Sequence, residues 1–83
     1  MEKEEIYKRV KDIFIEEFEL EEDELTPAAT LYDELELDSL DAVDLVVALE
    51  KEIGVKMRGE EAMREVRTID DLVNLIQLFL NKG

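Results

Sequence analysis

The sequence predicts an all-α fold: a small four-helix bundle of three longer helices and one short third helix, with a long first loop. Three observations lead there. Apolar residues recur every three to four positions over three long stretches. Two of those stretches open on helix-capping signatures, D-S-L-D at residues 38 to 41 and T-I-D-D at 68 to 71. No alternating strand pattern, internal repeat or low-complexity tract interrupts them. With 83 residues there is material for one domain, 1 to 83, because a chain of this size buries only around 60 to 65% of its unfolded surface and has no room for a second core.

The elements follow in order. Over residues 2 to 18, Ile6, Val10, Ile13, Phe14 and Phe18 share one helical side, with Lys and Glu on the others. Residues 20 to 37, LEEDELTPAATLYDELEL, hold no sustained period. A stretch of that length inside a small domain suggests a job. Thr26-Pro27 can open a single helical turn, and Leu25, Leu31, Leu35 and Leu37 are expected to pin the segment to the core. The second helix is expected over residues 39 to 53, with Asp38 as N-cap, Asp41 at the third helical position and Gly54 just past the end. A short helix near residues 60 to 66 would turn Ala62, Met63 and Val66 inward. Thr68 with Asp71 caps the last helix, whose apolar side is Ile69, Leu72, Val73, Ile76, Phe79 and Leu80. Phe14, Phe18 and Phe79 read as ordinary core, the acidic run at 21 to 24 as solvated surface, and Tyr7 and Tyr32 carry no readable role.

Charge narrows the function classes. Ten Lys and Arg against 24 Asp and Glu leave a net charge of -14, which repels nucleic-acid phosphates and anionic lipid over a Debye length of about 8 to 10 Å. The same field attracts a basic protein surface and speeds its approach, while self-repulsion weakens the compact state. Cysteine is absent, so neither a disulfide nor thiolate chemistry is available from the chain itself. The amino-terminal MEKEEIYKRV lacks the apolar core of a signal peptide, and no run approaches the eighteen or so apolar residues that span a bilayer. A cytoplasmic monomer without membrane insertion is expected. The acidic run lacks calcium-loop spacing, so no metal site is expected.

The second helix carries the functional question. Ala42, Leu45, Val46, Leu49 and Ile53 share one side, the core side. Leu40, Val43 and Val47 fall within about 60° of one another on a different side, bordered by Asp41, Asp44 and Glu50. This second stripe either lies under the long loop or forms a contact surface, a small apolar patch whose acids select a basic partner. Ser39 stands beside it. A serine nucleophile needs a positioned base, yet the chain has no histidine and no G-x-S-x-G elbow. Lys51 lies twelve residues further along, about 18 Å at 1.5 Å per residue. No catalytic residue is expected, and the chain reads as a non-enzyme. As Asp38 can cap the helix, the Ser39 hydroxyl is left in the first turn, at the positive end of the helix dipole, where an attached phosphate is permitted though not demanded.

D-S-L-D at 38 to 41, preceded by an acidic-leucine stretch and followed by V-D-L-V-V-A-L-E-K-E, resembles the phosphopantetheine attachment site of the acyl carrier proteins. The resemblance runs nearly the whole length, through the amphipathic first helix, L-T-P-A-A-T-L at 25 to 31, the short third helix and T-I-D-D-L at 68 to 72. It implies that a phosphopantetheinyl transferase moves 4'-phosphopantetheine from coenzyme A onto Ser39. Acyl groups then ride as thioesters between enzymes of fatty acid or related acyl biosynthesis. It also implies that Leu40, Val43 and Val47 touch acyl-transfer or synthase enzymes, with Asp38, Asp41, Asp44 and Glu50 facing those enzymes' basic docking patches.

Two departures stand out. Members of that family commonly have glycine two residues before the aspartate of the motif, where this chain has Glu36. The usual proline-containing stretch after the second helix is replaced by K-M-R-G at 56 to 59, which adds Lys56 and Arg58 to an acidic domain. The departures leave room for a dedicated cargo, such as a polyketide, aminoacyl or D-alanyl group. A different class, a non-covalent acidic adaptor in which Ser39 merely caps the helix, is the remaining alternative.

Overall fold

A computed structural model describes residues 2 to 56 and 64 to 82. Helix α1 spans Lys3–Phe18, a 3-10 turn spans Glu22–Glu24, α2 spans Ser39–Glu52 and α3 spans Ile69–Lys82. Helix α1 packs against both α2 and α3, and the expected apolar sides meet. Ile6, Val10, Ile13 and Phe14 of α1, Leu45, Val46 and Leu49 of α2, and Ile69, Leu72, Val73 and Ile76 of α3 are buried in one cluster, with Phe18 and Phe79 packed partly buried at its edge. No polar or charged side chain is buried among the described residues. The interior therefore rests on apolar area and packing alone. No helix of the described residues is long and apolar enough to cross a membrane.

Four helices are not what the described residues contain: they hold three α-helices and one 3-10 turn. Of the short helix expected over 60 to 66, residues 60 to 63 lie outside the described residues, Ala62 and Met63 among them. Its remaining end is not helical. Arg64 and Glu65 form a turn and Val66 is buried outside any regular element. Just beyond it, the Leu31 N–H donates to the Arg67 carbonyl at 2.8 Å, and Thr30 and Thr68 form an antiparallel bridge, which ties the entry to α3 to the long loop.

The long loop is built rather than slack. Glu21 and Glu24 cap each other reciprocally, the Glu21 N–H donating to Glu24 Oε2 at 3.0 Å, and so turn the acidic run into the 3-10 segment. The Ala29 N–H reaches the Thr26 carbonyl at 3.0 Å and closes the turn expected at Thr26-Pro27. Leu25, Leu31, Leu35 and Leu37 are all buried, as the sequence suggested. Between Leu35 and Leu37 the chain folds back, the Leu35 N–H donating to the Thr30 carbonyl and the Leu37 N–H to that of Leu31, each at 3.0 Å.

Tyr7, unreadable in the sequence, is an anchor of this loop. Its hydroxyl donates to the Leu25 carbonyl, and Lys11 Nζ stands 4.9 Å from the centre of its ring. Tyr7→Phe keeps the ring and orphans the Leu25 carbonyl. We expect a loss of about 1 kcal/mol, read as a lower urea midpoint with an unchanged slope.

Candidate functional site

The candidate site is the start and outer face of α2. Asp38 has extended backbone and caps the helix: the Asp41 N–H donates to Asp38 Oδ1 at 2.9 Å, and the Asp38 N–H donates to Asp41 Oδ2 at 3.2 Å. Sequence alone had suggested this box, and it forms. It uses residues 38 and 41 and skips the two between them. Among the described residues, neither the backbone N–H groups of Ser39 and Leu40 nor the Ser39 hydroxyl finds a hydrogen-bond acceptor. Ser39 is thus the first residue of α2, exposed, with an uncommitted hydroxyl beside two open donors at the positive end of the helix dipole. Those features suit a phosphate ester at that hydroxyl, since open N–H groups at a helix start receive phosphate oxygens.

The start of α1 is open as well, its N-cap Glu2 making no side-chain cap hydrogen bond, whereas the start of α3 is closed. There the Thr68 N–H donates to Asp71 Oδ2 at 3.2 Å and the Asp71 N–H to Thr68 Oγ1 at 3.1 Å. The Ile69 and Asp70 N–H groups reach back to the Ala29 and Pro27 carbonyls at 3.1 and 2.9 Å. All four leading donors are taken. The equivalent pair at the start of α2 faces solvent instead.

The second apolar stripe is not covered by the long loop. Leu40 is 76% exposed, Val43 39% and Val47 56%, whereas Ala42, Leu45, Val46 and Leu49 on the other side are buried. Ile53 is half-buried at the C-cap. Gly54 follows at φ +79, a left-handed turn that a glycine makes without strain. The acids of the site divide by duty. Asp38 and Asp41 hold the cap, and Asp41 is half-buried. Asp44 and Glu50 are exposed, with side chains that make no ion pair or hydrogen bond among the described residues. Those two are the acids left wholly free to meet a partner, a division the spacing alone does not reveal.

The Glu36 departure has a backbone meaning. Glu36 sits at φ +57, in the left-handed region, between buried Leu35 and Leu37. The approach to Ser39 thus keeps a conformation natural to glycine while carrying an exposed acid. Lys56 is exposed; residues 57 to 59, the rest of the second departure, lie outside the described residues.

Comparison with known proteins bears on the same residues. The family described as phosphopantetheine attachment site matches residues 8–76. An acyl carrier protein of Petrotoga mobilis is 40% identical over 81 residues, covering 98% of this chain and 94% of its own. Acyl carrier protein 2 of Ralstonia nicotianae is 41% identical over 76 residues, covering 92% and 93%.

The geometry at residue 36 has a measurable consequence. A non-glycine residue in the left-handed region costs roughly 1 to 2 kcal/mol, partly offset by the roughly 0.5 to 1 kcal/mol of chain entropy that glycine loses on folding. Glu36→Gly should therefore raise unfolding free energy by up to about 1.5 kcal/mol, read by urea denaturation. A lower stability would show that the left-handed turn carries no strain that glycine relieves.

Proposed function

The chain belongs to the acyl carrier protein family, whose members carry acyl groups on covalently attached 4'-phosphopantetheine, and we propose that Ser39 is the residue that bears this group. One observation carries the proposal: the Ser39 hydroxyl is uncommitted, exposed and flanked by two open N–H groups at the start of α2. The group supplies the thiol that this cysteine-free chain lacks and on which acyl groups are held as thioesters. For attachment, the chain contributes the serine oxygen. With no histidine in the sequence, the base that takes the hydroxyl proton belongs to the transferase. The chain itself acts as a carrier and catalyses nothing.

Proteins of this family meet phosphopantetheinyl transferases and acyl-processing enzymes. In our reading they meet this chain on α2, where Leu40, Val43 and Val47 give a small apolar grip and Asp38, Asp41, Asp44 and Glu50 give the negative frame. A net charge of -14 steers basic surfaces toward that frame, and a small apolar centre lets them leave quickly. A carrier that must visit successive enzymes requires both. We place the protein in the cytoplasm as a monomer that serves fatty acid or related acyl biosynthesis.

Ser39 is tested by intact mass. Incubated with coenzyme A and a phosphopantetheinyl transferase, the parent gains the mass of the arm, and Ser39→Ala gains none while keeping its circular-dichroism melt. If Ser39→Ala is loaded as the parent is, the attachment site lies elsewhere; if neither is loaded, the adaptor reading takes over.

Val43 tests the docking face free of the cap, which Asp41→Lys would break as well. Val43→Glu should lower the kcat/KM of loading about tenfold, as for an interface residue worth more than about 1 kcal/mol, with no loss of helicity. Loading at the parental rate would remove α2's outer stripe from the interface.

A further inference from the structure

The exposed stripe continues past the edge of α2. Asp44, Val47, Ala48 and Lys51 follow at i, i+3, i+4 and i+7, one face of the helix. They line a groove of about 350 Å³ whose opposite wall is Glu17 and Phe18, from the last turn of α1. Val47 belongs to both surfaces, so the groove is continuous with the Leu40, Val43 and Val47 stripe. Phe18 is half-buried, which leaves part of its ring as apolar floor. Glu17 and Asp44 are exposed on the two walls, and no ion pair or hydrogen bond neutralises either side chain among the described residues.

We propose that this groove between α1 and α2 is a second part of the docking surface, and that its occupant is the phosphopantetheinyl transferase. An apolar side chain of the transferase sits against Phe18 and Val47, flanked by a Lys or Arg held between Glu17 and Asp44. The inference rests on Ser39 as the attachment site. Two unneutralised acids on facing walls create a local negative potential that a cation relieves, and the apolar floor between them receives the stem or neighbour of that cation. The reach is right. Val47 is eight residues beyond Ser39, about 12 Å along α2, and a typical interface of about 800 Å² a side has a radius of about 16 Å. A transferase centred on Ser39 and the stripe therefore covers the groove as well. Lys51, one turn beyond Val47, sets the register: a basic segment that slides too far toward the end of α2 meets a like charge. A second copy of this chain is a poor occupant, since each carries a net charge of -14.

Loading kinetics of the purified chain with coenzyme A and a phosphopantetheinyl transferase, at low salt, test the proposal. Glu17→Lys reverses a charge inside the groove. Glu16→Lys makes the same change one residue away, on the α1 face that instead lines a cleft with Arg9 and Glu52. Both side chains are exposed, and circular dichroism confirms that each variant is folded. We expect Glu17→Lys to raise KM more than about three-fold, with kcat kept, an effect that shrinks as salt rises, and Glu16→Lys to have the smaller effect. A KM within about three-fold of the parent for Glu17→Lys overturns the proposal, as does an equal rise in Glu16→Lys, which would mean only bulk field. A parent that sediments as a dimer broken by Glu17→Lys would also overturn it and assign the groove to a second copy. A parent that takes up no arm at all fails the Ser39 reading instead, a result distinct from all of these.

Discussion

The approach to Ser39 depends on the pairing of the long loop with the entry to the last helix. The Leu31 N–H meets the Arg67 carbonyl, and the N–H groups of Ile69 and Asp70 meet the carbonyls of Ala29 and Pro27. These bonds join residues 36 to 43 positions apart in the chain. They fix the middle of the loop and help offset the about 1 to 2 kcal/mol of backbone entropy per residue that ordering it costs. Once that middle is held, Leu31, Leu35 and Leu37 can reach the interior, and the chain arrives at Asp38 with its direction set. The position of Ser39 is thus a tertiary consequence of the other end of the chain.

The two principal helix starts divide the labour. At α3 the loop and the local cap together satisfy the leading donors, which makes that end part of the fold. At α2 a box of the same kind satisfies only its own two members and leaves the intervening donors to solvent. Stability and availability are therefore placed at different helix starts, although Leu31 is hydrogen-bonded to the approach to each. The same separation runs along α2 itself, whose one side fills the core while the other presents Leu40, Val43 and Val47 outward.

Much of this was legible in the residues. The helical periods located α1, α2 and α3 to within a residue or so, because their apolar sides are long and regular. Both caps were readable because they are local, three residues from donor to acceptor. The buried leucines of the loop were readable as apolar residues without a period, and D-S-L-D carried the likeness to the family that the comparisons then showed. What was not legible is non-local. Nothing in Arg67 or Leu31 announces their hydrogen bond, and nothing local marks residues 64 and 65 as a turn. Tyr7 gave no sign that its hydroxyl would find a carbonyl eighteen residues away. The left-handed turn at Glu36 was hidden because glutamate does not ordinarily mark one. The helical spacing places a second stripe on α2, and only the path of the loop decides that it stays uncovered.

The box at the start of α2 is closed upon itself: its donors and acceptors are Asp38 and Asp41 and no residue of another segment. On the proposal that Ser39 bears the arm, an enzyme that grasps it can come and go without tearing any long-distance tie, and successive visitors inherit the same unaltered handle.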